Sequence, residues 1–169
     1  MAPRPSTLDA SFLLALGKLG QIALLERAHA FEWYLTPVVR DELRSGRTSD
    51  AVDRAVLSGT INIVTVDSDD DQVLAHFAEW SQIVDPGEAE AIAVALSRDW
   101  LVATEDRQAQ RQLDRRVGKG RWTNTAAVLV SMVQCGDASV AEADSVFRSL
   151  DVFPGYVKRG VSSIGDFLT

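Results

Sequence analysis

The sequence predicts an α/β fold built on a central parallel sheet, and three observations point there. Short runs rich in Val, Ile, Thr and aromatic residues alternate along the chain with longer segments of helical period. Proline stands where a helix would open, at Pro37 after the run Phe31–Leu35 and at Pro86 before an alanine-rich segment. Acids follow two of the extended runs directly, Asp9 after Arg4–Leu8 and Asp106 after the stretch WLVAT. Strands alternating with helices give a sheet covered on both faces, with sites outside the carboxyl ends of its strands.

Taken in order, a short strand over Arg4–Leu8 precedes a helix from Ala10 and a second helix around Gln21–His29. Phe31–Leu35 reads as a strand, Pro37 opens a helix through Leu43, and a further helix covers Ser49–Leu57. TINIVTV, Thr60–Val66, is the clearest β-branched strand. Helices follow over about 69–80 and 87–98, with DSDDD at 67–71 supplying acids to a helix start rather than a calcium loop: Gln72 stands where such a loop needs Gly. Trp100–Thr104 is a strand, a basic helix begins at Asp106, and Thr123–Gln134 and Val140–Leu150 are mostly helical. A tail runs from Pro154.

A chain of 169 residues is expected to form one domain, residues 1–169, burying about 70% of its unfolded surface. The apolar run Phe12–Leu16 is far shorter than a membrane span of about 20 residues, and no small-residue cleavage site follows it. Cys135, the one cysteine, excludes internal disulfides and cysteine-based zinc sites and falls in an apolar helix read as core. These features lead us to expect a cytoplasmic protein with no membrane attachment. A net charge of −7 argues against indiscriminate wrapping of nucleic acid, so an anionic substrate would need a local basic surface.

Helical phase singles out two more acids. In Val38-Val39-Arg40-Asp41-Glu42-Leu43 the 100° step sets Glu42 between Val38 and Val39, on the face to be buried, while Asp41 points away. Glu88 is in register with Ile92 and Ala95, and Glu90 falls on another side. A carboxylate on an apolar face is costly unless paired. Several converging acids raise one another's pKa unless a cation is present, and a hard divalent cation with oxygen ligands resolves both costs. The same residues also suit purely structural tasks. Asp9 and Asp106 would serve as N-caps of the helices they precede, and Asp85-Pro86-Gly87-Glu88 has the pattern of an N-cap, Pro at N1 and a capping-box acid at N3.

At these positions the sequence resembles the PIN domain nucleases. "TLDASFLLAL", "TPVVRDEL", "DPGEAEAIAVAL" and "LVATEDRQAQR" are similar to that family's four acidic motifs, in its order, over about residues 7–134. The G-E-A-E-A-I segment is similar to relatives of the VapC-type toxins. The resemblance implies a PIN-like three-layer sandwich, with 135–169 as a C-terminal helical extension. It implies acid roles for Asp9, Glu42, Glu88 and Asp106, with Thr104 as the polar residue before the last acid. It further implies Mg²⁺ or Mn²⁺, cleavage of single-stranded RNA, and a homodimer inhibited by an antitoxin. A fifth strand is expected near Val117, where the sequence shows scarcely any strand pattern.

Arg107, Arg111 and Arg115 recur every four residues after Asp106 and lead to Trp122, a phosphate-binding stripe with one aromatic for base stacking, or a solvated helix face. Arg40, Arg44 and Arg47 make a weaker stripe near Glu42. Two other readings compete with a nuclease. A non-catalytic RNA- or protein-binding module on the same fold would keep the stripe and bind no metal tightly. A phospho-acceptor receiver domain would use Asp67, but it needs an acid pair after the first strand, where Asp9 stands alone.

Overall fold

The computed structural model describes residues 2–43, 46–67, 69–151 and 163–168. Five strands, β1 (Arg4–Leu8), β2 (Phe31–Leu35), β3 (Ile61–Ile63), β4 (Leu101–Ala103) and β5 (Trp122–Thr123), form one sheet in the order β3-β2-β1-β4-β5, parallel throughout. The nine α-helices among the described residues are α1 (Ala10–Lys18), α2 (Leu24–Arg27), α3 (Pro37–Glu42), α4 (Arg47–Leu57), α5 (Asp71–Trp80), α6 (Pro86–Ser97), α7 (Arg107–Arg116), α8 (Thr125–Cys135) and α9 (Val140–Asp151).

Alternation along the strands divides the core in two. Leu8, Trp33, Leu35, Ile61 and Ala103 face a layer holding Phe12, Leu13 and Leu16 of α1, Val52 of α4 and Leu129 and Met132 of α8. On the opposite face Val102 meets Trp80, Ala89, Ile92, Ala95 and Leu113, from α5, α6 and α7. The result is a three-layer sandwich. Helix α6 is buried along most of its length because its alanines let it lie close to the sheet, where the Thr7 hydroxyl donates to Ala91 O at 2.9 Å. Helix α8 ends at Gly136, whose φ of 80° is the left-handed conformation that glycine adopts without a Cβ clash. Beyond α9 a 3₁₀ turn, Ile164–Phe167, packs back on the helices through buried Ile164 and an edge contact of Phe167 with Phe147.

Several elements depart from the sequence-based expectation. The second helix is only Leu24–Arg27, because Ala28 leaves helical geometry and Phe31 enters the sheet. The strand expected over Thr60–Val66 is Ile61–Ile63: it is an edge strand, and after Val64 N–H donates to Leu35 O the chain leaves the sheet. The fifth strand lies not near Val117, which caps α7, but at Trp122–Thr123. It therefore displaces the start of the next helix from Thr123 to Thr125. Cys135 is exposed at the end of α8 rather than in the core. Arg44 and the tail from Pro154 to Val161 lie outside the described residues. Among the described residues no helix is long and apolar enough to cross a membrane.

The register of the sheet brings two polar residues together. Leu8 pairs with Ala103, so the next residues of the two central strands, Asp9 and Thr104, emerge side by side at the carboxyl edge.

Candidate active site

Three helices start at that edge, each carrying an acid in or just before its first turn. Asp9 is the N-cap of α1 and Asp106 the N-cap of α7, while Glu88 is the third residue of α6. The N-terminal partial positive charges of three helices thus converge on one place. Both structural expectations for the aspartates hold: Asp9 Oδ2 accepts from Ser11 N–H at 3.2 Å, and Asp106 Oδ1 from Gln108 and Ala109 N–H at 2.6 and 2.9 Å. Capping and membership of the site coexist because Asp106 uses one oxygen for both amides and keeps the other.

For Glu88 the two readings separate. Asp85 makes no side-chain cap bond, and Glu88 Oε1 turns to the Thr104 hydroxyl at 3.3 Å, so no capping box forms. Thr104 is fully buried, Asp9 is 4% exposed and Glu88 9%. The Thr104 hydroxyl also reaches Asp9 Oδ2 at 3.0 Å and Ser11 Oγ at 3.1 Å, while it accepts from Asp106 N–H at 3.0 Å. Ser11 Oγ donates to Asp9 Oδ2 and accepts from Glu105 N–H at 3.0 Å. Two hydroxyls, those of Ser11 and Thr104, from segments far apart in the chain therefore sit between the acids and the turn 104–106.

Glu42 differs from its predicted place. The residue is exposed at the end of α3, and its side chain crosses to α6, where Oε1 accepts from Gly87 N–H at 3.0 Å. A Cβ at residue 87 would lie 2.3 Å from that oxygen, so only glycine leaves the carboxylate room. Glu90 takes the other side of the helix, as its phase predicted, and accepts from Val38 N–H at 3.1 Å, tying α6 to the start of α3.

Electrostatics reflect this crowding. Burial first, then the charges of Asp9 and Asp106, push Glu88 up to about 8. Burial likewise raises Asp9 and Glu42, the latter also through Asp9, Asp85 and Glu90. Glu105, missed in the sequence, is raised by burial as well; its carboxylate accepts from Thr125 N–H at 2.7 Å and holds the start of α8. A buried acid next to a predicted ligand at a strand end was the only available signal for it.

Arg107, Arg111 and Arg115 are exposed on one face of α7, opposite buried Ala109 and Leu113. Arg107 and Arg111 line a groove of about 1270 Å³ between α7, β5 and α8, together with Asn124 and the acids Glu105 and Asp114. Trp122 is half-buried and lines the same groove. It packs against the core of Ile92 and Leu113, and its indole N–H donates to Asp114 at 2.9 Å.

A family model for the PIN domain matches residues 6–161. The chain belongs to the PIN domain family. No curated protein matches it. PIN domains are generally nucleases that work with divalent metals. The donors in this PIN domain suit such an ion chemically: carboxylate oxygens, crowded and raised in pKa, whose main influences are burial, one another and hydroxyls. Among the described residues no three His, Cys, Asp or Glu side chains converge into a ready cage. Mg²⁺ demands less, since it keeps several waters and is commonly held by one or two carboxylates plus substrate phosphates.

Two outcomes are expected from this geometry. Glu88 keeps a proton in the folded chain at pH values where it is ionised in the unfolded one, so the folded state binds more protons. Stability without metal then falls as pH rises from 4.5 toward about 8. Thermal melts in chelator should show this decline, and Glu88→Gln should flatten it; an unchanged slope in that variant contradicts the assignment. Gly87→Ala should keep the thermal stability, because alanine is the better helix former by up to about 1 kcal/mol and only a side-chain end must move. Its nuclease activity should fall to the level of Glu42→Gln. Full activity in Gly87→Ala with loss in Glu42→Gln would mean Glu42 works from a different position.

Proposed function

We propose that this PIN domain is a metal-dependent endoribonuclease that hydrolyses phosphodiester bonds of single-stranded RNA. The observation that carries the reading is the meeting of Asp9 and Glu88 on the Thr104 hydroxyl, two carboxylates buried together at the mouth of the sheet. Asp9 and Glu88 would hold Mg²⁺ or Mn²⁺, with Asp106 and Glu42 on either side acting on it directly or through bound water. The ion would lower the pKa of a water and neutralise charge on the phosphodiester oxygens.

The protein's own groups supply placement. Three helix N-termini favour an anionic substrate at this edge, and Thr104 and Ser11 hold Asp9 so that it need not reorganise. Arg107, Arg111 and Arg115 offer phosphate contacts beginning one residue from Asp106, the local basic surface that an acidic chain needs. The G-E-A-E-A-I segment is the reason to extend the proposal to a toxin of the VapC type, acting in the cytoplasm as a homodimer and restrained by an antitoxin.

Glu88 and Glu90 test the reading within three residues. Glu88→Gln should lower Mn²⁺-dependent RNA cleavage by at least about 100-fold, beyond what loss of a supporting contact costs. Glu90→Gln should cleave as wild type, since glutamine still accepts from Val38 N–H. Equal cleavage in both variants would remove Glu88 from the reaction, and a wild type that binds RNA without cleaving it would favour a non-catalytic RNA- or protein-binding module.

A further inference from the structure

Ser11 lies two residues after the first acid, and counting hydrogens at the site gives it a task. The hydroxyls of Ser11 and Thr104 each accept one backbone N–H from the same turn, Glu105 N–H onto Ser11 and Asp106 N–H onto Thr104, at 3.0 Å in both cases. Those amides fix the acceptor side of each hydroxyl, so each has one hydrogen left to give. Ser11 gives its hydrogen to Asp9 Oδ2. Thr104 stands within reach of two carboxylates, Asp9 at 3.0 Å and Glu88 at 3.3 Å, and when both are ionised, as cation binding requires, it can satisfy only one of them at a time.

We infer that Ser11 is a positioning residue for the cation-binding carboxylates: by satisfying Asp9 it frees the single Thr104 hydrogen for Glu88. The inference rests on the metal-dependent reading of this site. Without the Ser11 hydroxyl, Asp9 Oδ2 keeps the Ser11 N–H but draws on the Thr104 hydroxyl as its one remaining hydroxyl donor, and Glu88 competes for the same hydrogen. Glu105 N–H also loses its acceptor, which loosens the turn carrying Asp106. A supporting contact of this kind is worth about 10- to 100-fold in metal affinity. Thr104 does not substitute for Ser11, because its own hydrogen is the one being shared.

The test is Mn²⁺ affinity, followed by the spin resonance of the free ion, in wild type, Ser11→Ala, Ser11→Thr and Asp9→Asn. Thermal melts and amide hydrogen exchange at Glu105 are recorded on the metal-free proteins. Ser11→Ala should bind Mn²⁺ about 10- to 100-fold more weakly and exchange the Glu105 amide faster, and Ser11→Thr should restore both. A merely structural serine would lower the melting temperature and leave the affinity alone. If Asp9→Asn loses Mn²⁺ while Ser11→Ala retains wild-type affinity, the role of Ser11 is overturned and the nuclease reading stands. Equal affinity in wild type and Asp9→Asn overturns both.

Discussion

The Thr104 hydroxyl owns one hydrogen, and two buried carboxylates, Asp9 and Glu88, lie within its reach. This shortage governs the carboxyl edge of the sheet. Like charges in a low-dielectric setting repel, and the protein answers with dipoles rather than with a basic side chain: two hydroxyls, backbone amides, and the starts of three helices. Those groups hold the acids in place without discharging them, and Glu88 remains pushed up to about 8. On the proposed metal-dependent reading, a cation bound by Asp9 and Glu88 would relieve that repulsion.

The fold supplies the arrangement with few special devices. The parallel sheet brings its strand ends to one edge, and the pairing of Leu8 with Ala103 makes Asp9 and Thr104 neighbours. Alanines in α6 let that helix press on the sheet until Glu88 reaches the same point from another layer. At Gly87 a missing side chain is itself the requirement, because the Glu42 carboxylate occupies the space of a Cβ. Glu105, bound to the start of α8, joins the C-terminal helices to the turn that carries Asp106.

Much of this was legible in the sequence, for reasons that can be stated residue by residue. Helical phase identified Glu88 and separated it from Glu90, since a buried helix leaves little freedom for a side chain to evade its direction. The same argument misplaced Glu42. Its helix is six residues long and ends there, so the side chain leans across to a neighbour instead of into a core. Strand β5 was misplaced because two residues carry no periodicity, so the strand position of Trp122 could not be read. Ser11 was hidden for a further reason: its importance lies in contacts with a segment more than ninety residues away.

On the metal-dependent reading, Glu88, pushed up to about 8, would give up its proton when a divalent cation binds. Calorimetric titration with Mg²⁺ or Mn²⁺ near neutral pH, repeated in buffers of different ionisation enthalpy, counts that proton directly. The account predicts release of close to one proton per cation bound in the wild-type protein, and release near zero in Glu88→Gln. Binding with no proton release in the wild-type protein would contradict it.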